Sequence, residues 1–112
     1  MSKKENEHII LNSGDTEIEL DYGELRRAVL VLRAVNHDLR KQIIELLEEN
    51  QRMTVTDIYI KLRLEQSVAS QHLAILRKAG IVIPERDGKF IYYVLDKERL
   101  SQIVQLIGDL AG

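Results

Sequence analysis

The stretch Ser67–Gly80, SVASQHLAILRKAG, constrains the fold of this chain more than any other. Ala69, Leu73, Leu76 and Ala79/Gly80 recur at helical spacing, so a helix here has one side in the core, with Gly80 as its stop. Its first two turns nevertheless carry Ser67, Ser70, Gln71 and His72. Short polar side chains at the start of an otherwise buried helix need a reason, and the order of elements around them supplies it.

Upstream, Leu25, Ala28/Val29, Leu32 and Val35 mark a helix that begins at Asp21, a suitable cap. Asn36 is placed to cap a second helix, HDLRKQIIELLEEN, with Leu39, Ile43, Leu46 and Leu47 facing inward and Asp38 at its positive end. A third, short helix covers TVTDIYIKL. Thr54 and Asp57 have capping-box spacing, and Val55, Ile58 and Leu62 form the inner stripe. RLEQ is then a tight break before the 67–80 helix. Downstream, IVIPERDGKFIYYVL sets two β-prone runs around Asp87-Gly88, which predicts a hairpin with a two-residue type I′ turn. Pro84 cannot donate to a ladder and suits an edge or irregular first strand. The final helix, 97–111, repeats Leu100, Ile103, Ile107 and Leu110. Residues 1–20 are polar and acidic around HIIL and EIEL. They read as a flexible N-terminal segment, with a hairpin turning at Ser13-Gly14 as the alternative.

Residues 21–112 are thus expected to form one domain, mainly α with a β-hairpin: a winged helix-turn-helix of five helices plus a two-stranded wing. In such a fold the second helix of the helix-turn-helix sends its N-terminal part into the major groove of DNA. Ser67, Ser70 and Gln71 meet the need for short donors and acceptors there, and Gln71 is able to pair bidentately with adenine. Gln66 sits at or just before the helix start, where backbone N–H groups also bind phosphate. Capping is the alternative role for Ser67, and a packed, hydrogen-bonded position the alternative for His72. Arg77, near the helix end with Lys78, fits a phosphate contact. Arg86 and Lys89 bracket the hairpin turn, within reach of phosphates or the minor groove.

Charge agrees in its distribution rather than its total. The net charge is −2, yet residues 61–89 hold 6 basic and 3 acidic side chains, against 8 and 12 in residues 1–60 and 2 and 3 in residues 90–112. For a phosphate backbone met at close range, the local sign matters more.

Other classes are excluded on composition and motif. The 112 residues allow one modest core, and 45 % hydrophobic with 30 % charged residues is a globular composition. Apolar runs such as AVLVL at 28–32 are too short to span a bilayer, and the N-terminus lacks a signal-length apolar region, so a cytoplasmic protein is expected. Cysteine is absent, which removes disulfides and thiolate chemistry. There is no Gly-rich phosphate loop, nucleophile elbow or HExxH pair. Ser70 and His72, two residues apart, do not share a helix face and make no nucleophile–base pair. An enzyme is not expected, nor a cofactor. A winged helix used only as a protein-interaction module is the alternative function, but it would show an apolar patch where this helix is polar.

VNHDLRKQIIELL, TVTDIYIKL, SVASQHLAILRKAGIV and RDGKFIYYVL together resemble the ArsR/SmtB family of bacterial transcriptional repressors, over roughly residues 25–107. The pattern of Ser70–Val82, S-x-H-L-x-x-L-R-x-A-G-I-V, is the most specific part. The resemblance implies a sequence-specific repressor that binds an inverted-repeat operator as a homodimer. It joins the copies through the first and last helices, here Leu25, Val29, Leu32, Leu100, Ile103 and Ile107. Many members sense metal ions, but this chain departs from both familiar sites. Thr54, Thr56 and Tyr59 stand where one has cysteines. Asp96, Glu98, Asp109 and Gly112 stand where the other has a histidine-containing set. Imidazole and thiolate are missing from both, so no metal site is expected there.

Overall fold

A computed structural model describes residues 7–112. In chain order the elements are β1 (His8–Ser13), β2 (Thr16–Asp21), α1 (Tyr22–Val35), α2 (Asp38–Asn50), α3 (Val55–Leu62), α4 (Gln66–Lys78), β3 (Val82–Asp87), β4 (Phe90–Leu95) and α5 (Lys97–Ala111). The chain divides into two compact units, with the boundary between Val31 and Leu32 inside α1.

In the second unit, the apolar stripes read from the sequence converge on one core. Ile43, Leu46 and Leu47 of α2, Ile58 of α3, and Ala69, Leu73 and Leu76 of α4 are buried together with Ile81, Val82 and Ile103. Leu39, Val55 and Leu62 are half-buried at its margin. The helix ends follow local chemistry. Thr54 Oγ1 accepts from the Asp57 N–H at 3.1 Å and Asp57 Oδ2 accepts from the Thr54 N–H at 3.1 Å, the reciprocal box expected. Asn36 does not cap α2. Its N–H closes the last turn of α1 on the Arg33 carbonyl at 3.1 Å. The cap therefore moves one residue on to His37, whose Nδ1 accepts from the Leu39 N–H at 3.1 Å. Between α3 and α4 the chain turns through Arg63, a left-handed residue at φ 56°.

The wing, β3 paired antiparallel with β4, differs from its expected turn by one residue. Asp87 pairs with Phe90, so the loop is Gly88–Lys89 rather than Asp87–Gly88. Gly88 has φ +63° and Lys89 is not left-handed, the pattern of a type II′ turn with glycine in its first position. As a result Lys89 lies in the loop, and Arg86 pairs with Ile91 one step back from the tip. The wing is also not a free hairpin. Met53 and Tyr93 exchange backbone hydrogen bonds of 3.2 and 2.8 Å, adding a one-residue third strand from the α2–α3 connection.

In the first unit, residues 8–21 take the hairpin alternative. Ser13 pairs with Thr16, and the loop is Gly14–Asp15, again one residue beyond the expected position and again with glycine left-handed in its first place. Asp21 ends β2 and begins α1 as well, with Oδ1 accepting from the Gly23 and Glu24 N–H groups at 2.9 and 3.2 Å.

Candidate nucleic-acid interface

The polar residues of α4 form one outward stripe. Gln66, Ser67, Ser70, Gln71, Arg77 and Lys78 are all exposed, while Ala69, Leu73 and Leu76 on the opposite side are buried. The spacing of 67, 70/71, 74 and 77/78 is the helical period seen from outside. Ser67 does not cap: the helix starts at Gln66, and Glu65 stands at the N-cap without a side-chain bond. That leaves both the Ser67 hydroxyl and the first N–H groups of α4 open to an outside acceptor.

The wing continues this surface. Val55, Ser70, Ala74, Arg77, Lys78 and Tyr93 line an open recess of about 400 Å³. Paired residues alternate between the two faces of a hairpin, so Arg86 and Ile91 share the face of Tyr93, the one turned to α4. The opposite face is held to the α2–α3 connection. There the Arg52 guanidinium lies 4.0 Å from the centre of the Tyr92 ring and donates to Asp87 Oδ2 at 3.2 Å. Arg52 thereby offsets the one acidic side chain beside the wing loop. Neither Arg52 nor Tyr93 is distinguished in the sequence, because what selects them is a partner 35 residues away in one case and a cross-strand bond in the other.

His72 takes the packed position. It is half-buried, and its Nδ1 lies 3.2 Å from Arg40 Nη1. Arg40, itself buried, also donates through Nε to the Ala34 carbonyl at 2.8 Å and through Nη2 to the Arg33 carbonyl at 3.0 Å. One guanidinium thus caps the end of α1 and braces α4. The His37 ring stands 4.8 Å from that of His72. Burial lowers the His72 pKa, and the nearby His37 and Arg40 lower it further. A neutral imidazole accepting from Arg40 is the form this joint requires.

The positions that match the family's metal sites carry other roles. The Thr54 hydroxyl caps α3, and Asp96 Oδ1 caps α5 by accepting from the Arg99 N–H at 3.0 Å. Glu98 and Asp109 are exposed. Among the described residues, one group brings three ligand-type atoms within 4.8 Å of one another: His8, Glu19 and Asp21. His8 and Glu19 pair with each other there, and Asp21 caps α1.

A helix-turn-helix with an exposed polar stripe and a wing that carries Arg86 and Lys89 beside it defines a winged-helix DNA-binding protein. Residues 37–83 match the family model described as bacterial regulatory protein, arsR family. An uncharacterized HTH-type transcriptional regulator of Methanocaldococcus jannaschii is 34 % identical over 75 % of this chain and 94 % of its own length. The transcriptional activator HlyU of Vibrio cholerae is 32 % identical over 72 % of this chain and 74 % of its own. The crystal structure of the transcriptional repressor PagR of Bacillus anthracis superposes with a TM-score of 0.62 at 30 % identity, covering 78 % of this chain and 99 % of that one. The chain belongs to the ArsR family of transcriptional regulators, which bind DNA and are not enzymes. No helix among the described residues is long and apolar enough to cross a membrane.

Proposed function

We propose that the protein is a cytoplasmic, homodimeric repressor that reads an inverted-repeat operator. The observation that carries this reading is the exposed polar stripe at the start of α4, continuous with Arg77, Lys78 and the Arg86 face of the wing. In it, Gln66, Ser67, Ser70 and Gln71 meet base edges or the nearest phosphates. Arg77, Arg86 and Lys89 neutralise the backbone, and His72 positions the helix through Arg40. The name of the relative PagR supports repression. Dimerisation is supported by α5, where Val104, Leu106, Ile107 and Leu110 remain exposed, Leu110 at 72 %. Leu100 is half-buried beside them, whereas Ile103, only 6 % exposed, serves the chain's own core. On α1, Leu25 is exposed and Val29 and Leu32 are half-buried.

Two substitutions, compared on operator and random duplexes at several salt concentrations, test the division of labour. Gln71→Ala is expected to weaken operator binding by about 1–3 kcal/mol and to spare random DNA, because a base contact discriminates. Arg86→Ala is expected to weaken both and to reduce the salt slope by about one unit, because a phosphate contact releases counterions without reading sequence. If Gln71→Ala leaves the specificity ratio intact, Gln71 does not read bases. If neither variant changes binding, this surface is not the DNA interface.

A further inference from the structure

Of the described residues from Glu7 to Val31, none is buried. The β1–β2 hairpin is nonetheless strongly two-faced. Ile9 pairs with Leu20 and Leu11 with Ile18, which puts these four side chains on one face. They are 44, 39, 49 and 49 % exposed in that order. The other face carries His8, Ile10, Glu17, Glu19 and Asp21. A two-stranded hairpin in water is marginal, and a body this small usually needs a disulfide, a metal or another chain to hold it. The chain has no cysteine.

The hairpin also enters α1 without slack. The Tyr22 N–H donates to the Glu7 carbonyl at 2.6 Å, Arg26 pairs with the Glu7 carboxylate, and Asp21 caps the helix. The apolar face is therefore carried on the helix assigned above to self-association.

We infer that the Ile9, Leu11, Ile18 and Leu20 face docks on the second copy of this chain, so that the hairpin is ordered by dimerisation. This rests on the homodimer reading and deepens it. Area favours a second copy. A specific interface buries about 800 Å² on each partner. An aliphatic side chain supplies at most about 100 Å², so the four exposed apolar residues of α5 reach about half that figure. The four on the hairpin supply a comparable amount. Charge disfavours nucleic acid or an anionic lipid surface as the cover, since Glu17, Glu19 and Asp21 on the other face repel phosphate.

The test uses the full chain, with sedimentation over a range of concentrations and hydrogen exchange of the β1 and β2 amides. The double variant Ile9→Ser/Leu20→Ser is expected to raise the dimer dissociation constant at least about tenfold. Ile10→Ser, on the opposite face, should change it by less than about twofold. In the natural chain, protection of the hairpin amides should fall on dilution in step with the dimer fraction. Thermal melting of each variant checks that residues 32–112 still unfold cooperatively. A dimer of unchanged affinity in the double variant, or hairpin protection independent of concentration, overturns the docking and leaves the dimer standing. A natural chain that stays monomeric throughout overturns both. Protection that follows zinc or chelator rather than concentration assigns the ordering to His8, Glu19 and Asp21, and overturns the docking as well.

Discussion

The molecule contains two hairpins with nearly the same local design and different fates. Each has six-residue strands in antiparallel register, and each turns through a two-residue loop whose first residue is a left-handed glycine at φ +63°. In the wing, Val82 at the start of β3 and Ile81 just before it are buried, Met53 adds a backbone bridge, and Arg52 grips the outer face. In β1–β2 no residue is buried, and the described fixings are the joint to α1 and an exposed His8–Glu19 pair. Strand pattern and turn chemistry suffice to write a hairpin. Long-range packing gives one a place.

The largest effect that separates them is at the root of the wing. Ile81→Ala should lower the unfolding free energy by about 2–5 kcal/mol, as for other fully buried aliphatic residues. Measured at a concentration where the chain is monomeric, Leu20→Ala should leave unfolding of residues 32–112 within about 0.5 kcal/mol of the natural chain. Chemical denaturation followed by circular dichroism measures both. Equal losses would mean that the two hairpins are equally integrated.

A smaller and more selective comparison lies in the loops. A methyl group added at Gly14 or Gly88 meets nothing within 4 Å, so an alanine at either suffers only from the left-handed backbone, by about 1–2 kcal/mol. Gly88→Ala is expected to lower the melting temperature of the core, because the wing is part of it. Gly14→Ala should register only in exchange of the β1 and β2 amides.

The smallest effect is in pH, and it concerns His72 on α4 and Asp21 at the end of the first hairpin. His72 is held below its ordinary 6.5, so the unfolded chain takes up the proton first. Stability from this group is present above pH 6.5 and declines as the pH falls below it. Asp21 is held below 3.8, first by the Glu24 N–H, with Gly23, His8 and Arg27 acting the same way against a burial effect that opposes them. Its contribution is lost only as the pH falls past that value. Melting between pH 7 and 5 should therefore soften the His72 joint and spare the cap of α1. His72→Gln, which keeps an acceptor for Arg40, should flatten that part of the profile. An unchanged profile would show that His72 does not titrate in the joint.

Much of this was legible in the sequence, and the boundary of what was legible has a physical cause. Helical period, the Thr54–Asp57 box, the Asp21 cap and the presence of the wing's glycine turn depend on residues within about four positions of one another, so the order of residues alone determines them, whereas the first hairpin was only the alternative to a flexible segment. The outward stripe of α4 follows from the same period, since fixing the buried side fixes the exposed one. The two turns were displaced by one residue because glycine supplies a left-handed first loop position as readily as a second, and only the paired strands choose between them. A packed His72 was one of two readings, but its partner Arg40 and the grip of Arg52 on the wing lay beyond reach. The partners of His72 and Arg52 are 32 and 35 residues away, and a side chain has no preference for one distant partner until packing brings it near. The sequence by itself determined the helices, the presence of the wing and the polar face that α4 leaves exposed. The tertiary structure alone decided which hairpin became a wing, because burial at its root and contacts across the chain exist only once the core has formed.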